Sequence, residues 1–327
     1  MAETKATFGD AIRGVGVTFR EFFSQNDLNQ VAGWDPIVKT IRSNDATSTF
    51  SGKTGAGLLS RFADGSPIPN LNRYKLFDTS VEQEPVGGRI EITRQTLLYR
   101  DFAGVFSESK DLMASVQSYL SRAGAQIFNR GFTDGSGVTG GTRVVQYGDA
   151  APTFSTSHPR ADGGTAQSNA SATGIPLTET NLEIARIALL NQLQDDGVPM
   201  MAPGELYIVC GINLDKTARI ITGSNLRSGT GNNDTNTYGG GAVKVMSSSW
   251  LDAGISGSGV GSNTQWFLVA PSRAKLAIVI SKGPDLEYLT DKDTKSGLFD
   301  VILDLGVCSY DWHGLYGSQG ANAAYAG

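Results

Sequence analysis

Thr47-Ser48-Thr49-Phe50-Ser51-Gly52-Lys53-Thr54-Gly55-Ala56-Gly57 opens the stretch whose reading decides this fold, and the stretch closes at Asp101. It leaves as a polar, glycine-rich ribbon and turns around Ala63-Asp64-Gly65-Ser66-Pro67. It returns as an alternating strand over residues 74–84. Gly87-Gly88 then leads to a second strand, residues 89–93, and a long amphipathic helix follows. A hairpin of this length carries too few apolar residues to build its own core, and an isolated two-stranded hairpin is marginal in water. It must lie on something else. If nothing inside the chain covers it, the partner is another copy, which points to an assembly subunit rather than an enzyme.

The chain has 327 residues, enough for two domains or one large one with excursions. Glycine, at 41 residues, is well above the usual ~7% and gathers between elements, so turns and loops abound. The net charge of −5 argues against a sequence-independent nucleic-acid binder, which needs clustered Lys and Arg to displace counterions. A mildly acidic subunit can still enclose nucleic acid without gripping it. Cys210 and Cys308 lie in apolar, strand-like runs and read as buried free thiols of a reducing compartment. Lys5, Asp10 and Arg13 interrupt any apolar leader, and the longest apolar run, 276–280, is far too short to span a bilayer. No membrane association is expected.

Outward from the hairpin, Phe8, Ile12, Val15, Phe19 and Phe22 recur at helical spacing in an arm over residues 1–43. Their stripe docks on its own domain or on a neighbour. The best helix is 107–129, with a stripe of Leu112, Val116, Leu120, Ala123 and Ile127 and with Met113 and Tyr119 beside it. So long a helix flanked by strands reads as a scaffold spine. Residues 131–175 read as loops with a short strand at 143–147. Thr180 with Glu183 fits a capping box for a second helix faced by Leu182, Ala185, Leu189 and Leu193. Then come a strand at 205–210, a short helix near 214–221, and a long polar loop at 223–241, of a length that is usually functional. Strands follow at 242–248, 265–270 and 275–281. A closing strand over 298–310 has Phe299, Val301, Leu303, Leu305 and Val307 on one face.

Candidate chemistry is sparse. Gly52-Lys53-Thr54 resembles the end of a phosphate loop, but position 47 is Thr47 and Gly55-Ala56-Gly57 opposes the helix such a loop needs. Gly135-Ser136-Gly137-Val138-Thr139-Gly140 matches the dinucleotide fingerprint but follows a helix and opens a loop, so it reads as a flexible turn. Two histidines, His158 and His313, are too few for a zinc site at any recognisable spacing, and no nucleophile elbow accompanies them. Ser107-Glu108-Ser109-Lys110 is read as helix capping. Asp195-Asp196 is read as a helix end in solvent, and Asp291 with Asp293 falls short of a calcium loop. No catalytic, cofactor or metal site is expected. Replacing both histidines with Asn is expected to spare shell formation.

The order of these elements resembles the major capsid proteins of tailed phages, the Hong Kong 97 fold of the α+β class. Locally the chain is similar to the Mu-like prophage major head subunits. The residues that carry this are Phe154-Ser155-Thr156-Ser157-His158-Pro159, Pro176-Leu177-Thr178 before a helix, and Trp266-Phe267-Leu268. The ending Tyr310-Asp311-Trp312-His313-Gly314-Leu315-Tyr316-Gly317 completes the set. The resemblance implies an N-terminal arm (1–43), an extended loop (44–87), a peripheral domain with the spine helix (88–180 and 283–327) and an axial domain (181–282). It implies assembly contacts at Phe8, Ile12 and Phe19 in the arm, at Arg61, Phe62, Asp64 and Arg73 about the loop tip, and at Asn225 and Arg227 in the axial loop. Arg61 and Arg73 either pair with carboxylates on another copy or stay solvated.

The implied product is an icosahedral shell of pentamers and hexamers around double-stranded DNA, assembled in the host bacterial cytoplasm and ending in the virion. A separate scaffolding protein, a portal and a decoration protein are the implied partners. Lys53 and Lys75 lie in the loop region, but nothing marks a matching asparagine, so no covalent cross-links are expected. The alternatives are an encapsulin-like compartment, which shares the fold, and a cytoplasmic hydrolase built around His158 or His313.

Overall fold

A computed structural model describes residues 33–93, 95, 102–133, 142–200, 204–223, 236–239, 241–255, 261–291, 293–294 and 296–320. Within them the chain forms two sheets on one long helix. In the first sheet β1 (Val38–Arg42) runs parallel beside β9 (Lys275–Thr290), which pairs antiparallel with β10 (Gly297–Asp311). β4 (Glu84–Ile92) pairs antiparallel with the first part of β10, and the short β5 (Val144–Val145) takes over parallel beside Val307 and Cys308. The second sheet has the order β11 (Leu315–Ser318), β8 (Trp266–Val269), β6 (Leu206–Cys210) and β7 (Val243–Ser247). A two-stranded ribbon, β2 (Thr47–Phe50) with β3 (Thr79–Glu82), forms a third sheet that shares no ladder with the other two.

The helix α1 (Phe102–Asn129) joins the sheets. Its 28 residues make a rod about 42 Å long at 1.5 Å per residue. Leu112, Met113, Val116, Leu120, Ala123 and Ile127 are all buried, as their spacing predicts. They meet Phe299, Val301, Leu303, Leu305 and Val307 of β10 in one core, and that core continues to Val209, Phe267 and Val269 of the second sheet. Phe128 anchors its far end, with ring centroids 5.4 Å from Trp34 and 5.1 Å from Phe267. Trp34 lies so close over Gly124 that a Cβ there would meet its indole at 2.8 Å, so the helix needs a bare backbone at that position. The other face of the second sheet (Ile208, Cys210, Trp266, Leu268) is covered by α2 (Glu179–Leu190) and α3 (Ile212–Gly223).

Several sequence expectations shift. α1 begins at Phe102, so Ser107 to Lys110 lie inside it and do not cap it. Gly87 and Gly88 are strand residues of β4 rather than a lead into it: Gly87 faces Ile302, and a Cβ on it would meet the Val301 carbonyl at 2.8 Å. β9 runs to Thr290 rather than stopping at 281, because β10 supplies a hydrogen-bonding partner past Gly283-Pro284. The cap of α2 is Thr178, whose hydroxyl accepts from Asn181 N at 3.2 Å; Glu183 is drawn instead to Arg186 and the Tyr238 hydroxyl. Trp34, Ile37 and Val38, at the end of the expected arm, are core residues, and β1 is built into the first sheet. Phe8, Ile12 and Phe19 lie outside the described residues, as do Asn225, Arg227 and the fingerprint Gly135 to Gly140.

Leu120 is 2% exposed at the centre of the shared core. Leu120→Asp places an unpaired charge there and is expected to cost about 4 kcal/mol or more, leaving no soluble folded chain. The same change at exposed Ser118 on the opposite face is expected to leave soluble yield unchanged; comparing the soluble fractions of the two variants checks this.

Candidate functional site

Two features stand out once the fold is in place: a loop that leaves the body, and a buried cluster of charges beneath its root. The loop begins as the β2–β3 ribbon. Its lower part is seated on the first sheet, where Val81 is fully buried against Ala277, Val279 and Cys308. Phe50 stacks on Tyr310 at 4.5 Å. The neck continues through a Lys53–Lys75 bridge, with Thr54 N donating to Tyr74 O at 2.8 Å and Leu76 N to Gly52 O at 3.0 Å. No helix follows Gly52-Lys53-Thr54, so the phosphate-loop geometry is absent.

Beyond the neck every residue from 55 to 73 is exposed. Leu58, Leu59, Phe62 and Ile68 are 71%, 88%, 51% and 75% exposed, and Leu71 joins them. The tip turns at Ala63–Ser66, with Gly65 in the left-handed region at φ +78°. Arg61, Phe62 and Asp64 are displayed on this tip, whereas Arg73 is engaged at the neck, its Nε donating to Thr54 O at 3.1 Å. Lys75 pairs with Asp78 at 2.5 Å.

Under the neck, a cavity of about 280 Å³ is lined by Lys53, Thr54, Gly55 and Leu76 from the loop and by Asp195, Lys275, Asp311 and His313 from the body. Asp311 ends β10 and accepts from Lys275 Nζ at 2.7 Å and from His313 Nδ1 at 2.5 Å. Burial alone would raise the Asp311 carboxyl, but the charge and hydrogen bond of His313, then of Lys275, hold it far below the usual carboxylate range. Asp195 follows α2 and takes the Ala161 amide at 3.2 Å. It is 5% exposed rather than solvated, and burial, opposed by His313, pushes its carboxyl up. His158 is fully buried, its Nδ1 2.7 Å from Asp149 Oδ2 and its Nε2 3.2 Å from Asn169 Oδ1. The ring stacks on Trp312 at 4.4 Å, and His313 stacks on the same indole at 4.0 Å.

This cluster is structural. Neither histidine has a free nitrogen to act as a base: His158 is held by Asp149 and Asn169, and His313 by Asp311 and, at 3.0 Å, by Leu193 O. General-base catalysis needs that nitrogen within reach of a substrate proton. Neither histidine therefore presents a free base, and both are buried. Among the described residues no group of three or more His, Cys, Asp or Glu side chains could hold a metal ion, and no helix is long and apolar enough to cross a membrane. Cys210 and Cys308 are free and buried, and burial pushes both thiols up to about 12. Asp311 stands two residues before His313, but Asp149 and Asn169 lie nine and eleven residues from His158 and Leu193 lies 120 from His313, so local spacing announced only the Asp311–His313 pair.

Comparison with known proteins bears on the fold. A family model described as phage capsid protein matches residues 77–317. No curated protein matches the chain. Among solved structures, the capsid of an empty GTA particle superposes with a TM-score of 0.53 at 11% identity, covering 89% of this chain and 90% of that one. A chain of Mycobacterium phage Patience gives 0.53 at 11%, covering 99% and 95%. The capsid of the cyanophage P-SCSP1u gives 0.53 at 10%, covering 88% and 86%. At such identities the likeness speaks to fold, and the fold is that of Hong Kong 97-like capsids.

Removing the His158 ring leaves the buried Asp149 carboxylate short of its donor. His158→Ala is expected to destabilise the chain by about 2 kcal/mol or more, read as a lower urea midpoint than that of the exposed control Lys282→Ala.

Proposed function

The chain belongs to the phage capsid protein family, and we propose that it builds its shell by laying the extended loop, residues 44–87, over a neighbouring copy. It is a structural subunit, a major capsid protein of an icosahedral shell. The observation that carries the loop's role is the contrast between its two ends. The base is seated on the chain's own sheet, while five large apolar side chains at the tip stay exposed. Full burial is worth about 1.5–3 kcal/mol for each such side chain. Closed symmetry repeats each modest contact around the shell, so that they sum to a stable particle.

The finer parts of the reading rest on this footing. The shell is that of a tailed phage of the Mu-like branch, with pentamers and hexamers enclosing double-stranded DNA; a net charge of −5 suits a wall that contains DNA without gripping it. The peripheral domain (88–180 and 283–327) takes in α1, β5, β10, the later parts of β4 and β9, and β11 of the second sheet. The axial domain (181–282) corresponds to most of the second sheet with α2 and α3. Arg61, Phe62 and Asp64 meet the neighbour at the tip. Contacts are non-covalent, with Lys75 already paired to Asp78. A scaffolding protein, a portal and a decoration protein complete the head, which assembles in the bacterial cytoplasm. No enzymatic activity is assigned.

Deleting residues 58–72 removes the uncovered tip and leaves the neck and the seated base intact. The variant is expected to fold with wild-type circular dichroism yet fail to form shells that survive heating. Shells of unchanged heat resistance, seen by electron microscopy, would show that the tip contacts no neighbour.

A further inference from the structure

The chain passes from the first sheet to the second through three residues, Trp312, His313 and Gly314, between the end of β10 and the start of β11. Gly314 N donates to Gln192 Oε1 at 2.7 Å, Gln192 Nε2 donates to Leu315 O at 2.9 Å, and Ala270 N donates to Gly314 O at 2.8 Å. The same crossing holds the imidazole–indole–imidazole stack. Both nitrogens of His313 face only acceptors, Asp311 Oδ1 and Leu193 O, a set that only a ring with both protons can satisfy in full. A charged imidazole against an indole face also gains cation–π attraction.

We propose that the His158–Trp312–His313 stack is a proton-held clasp on the junction between the two sheets, which loosens the root of the extended loop when His313 gives up its proton. The connection is geometric. Leu193 O receives His313 from one side and Gln167 Nε2, at 2.9 Å, from the other, and so fixes the turn that follows α2. Gly55 of the loop root rests on that turn, where a Cβ would stand 3.1 Å from Asp196 Oδ2. Loss of the proton removes the donor to either Asp311 Oδ1 or Leu193 O and leaves Asp311 paired with Lys275.

The groups facing His313 set the direction of the effect. Asp311 and Lys275 lie on the paired strands, Asp195 on the turn after α2, and Lys53 across the cavity on the loop root. His158, bonded to Asp149, lies against Trp312, with Tyr147 and Tyr310 nearby. Burial disfavours the charged ring, but the charge and hydrogen bond of Asp311, with Asp195 behind, raise the His313 pKa above its ordinary value of 6.5. A raised histidine stabilises the fold fully below that ordinary value, and the contribution is lost as pH rises through the folded pKa. The clasp is therefore closed in acid and released in alkali.

Hydrogen–deuterium exchange of the full chain at pH 6 and pH 9, corrected for intrinsic rates, tests this. The amides of Gly314, Gln194, Thr54 and Leu76 are expected to open more readily at the higher pH. Their opening constants should rise by up to about tenfold per pH unit between the ordinary and folded values, while those of β6 and β8 stay level. In His313→Gln the rise is expected to vanish. In Asp311→Asn, which serves if the first variant does not fold, the rise should be smaller and level off at lower pH, because the folded value falls back toward the ordinary one. Wild-type protection equal at both pH values overturns the proposal, and so does a rise that His313→Gln retains.

Discussion

Backbone pairing along β10 is the constraint on which the rest of the molecule depends. One edge of the strand takes β9 along nearly its whole length, and the other takes β4 and then β5. Its inward face of Phe299, Val301, Leu303, Leu305 and Val307 receives α1. Its end delivers Asp311 to Lys275 and His313, and the next few residues start the second sheet. The seat of the extended loop is also defined by this strand, through Cys308 against Val81 and Tyr310 against Phe50.

From that frame the division of labour in the loop follows. Its base gains cover from β9 and β10 and is part of the folded body. Its tip extends where the body has no surface to offer, and Leu58, Leu59, Phe62, Ile68 and Leu71 remain in water. A second copy can cover them with the neck bonds at Thr54 and Leu76 intact. An exposed apolar group of this kind marks an interaction surface, and repetition of one modest contact is the means by which a shell becomes stable.

The helices and most strands were legible because their apolar residues repeat at the period of the element. The stripe of α1 and the alternation of β10 lie where their spacing puts them. Boundaries failed where a local signal was overridden by pairing. Gly87-Gly88 stands ahead of the strand expected at 89–93, yet β10 holds both glycines in β4; the strand expected at 275–281 continues through Gly283-Pro284 because β10 pairs with it there. Thr180 with Glu183 fits a capping pattern, but Thr178 takes the cap and Glu183 goes to Arg186. Beyond the Asp311–His313 pair, the buried cluster could not be read. Asp149, His158, Asn169, Asp195, Lys275, Asp311 and His313 come from five segments, and charge spacing along the chain carries no trace of their meeting. The loop tip was legible for the opposite reason, since its lack of apolar periodicity told that it builds no core of its own.

The central claim is that a lone copy of this chain leaves surface that only sister copies can cover. Measuring the mass of the purified full chain by analytical ultracentrifugation, with electron microscopy of the same sample, tests it most directly. The account predicts capsomer rings or closed shells far heavier than the 34.5 kDa chain. A monomer that persists at high concentration, with residues 55–73 folded back and protected from protease, would contradict it.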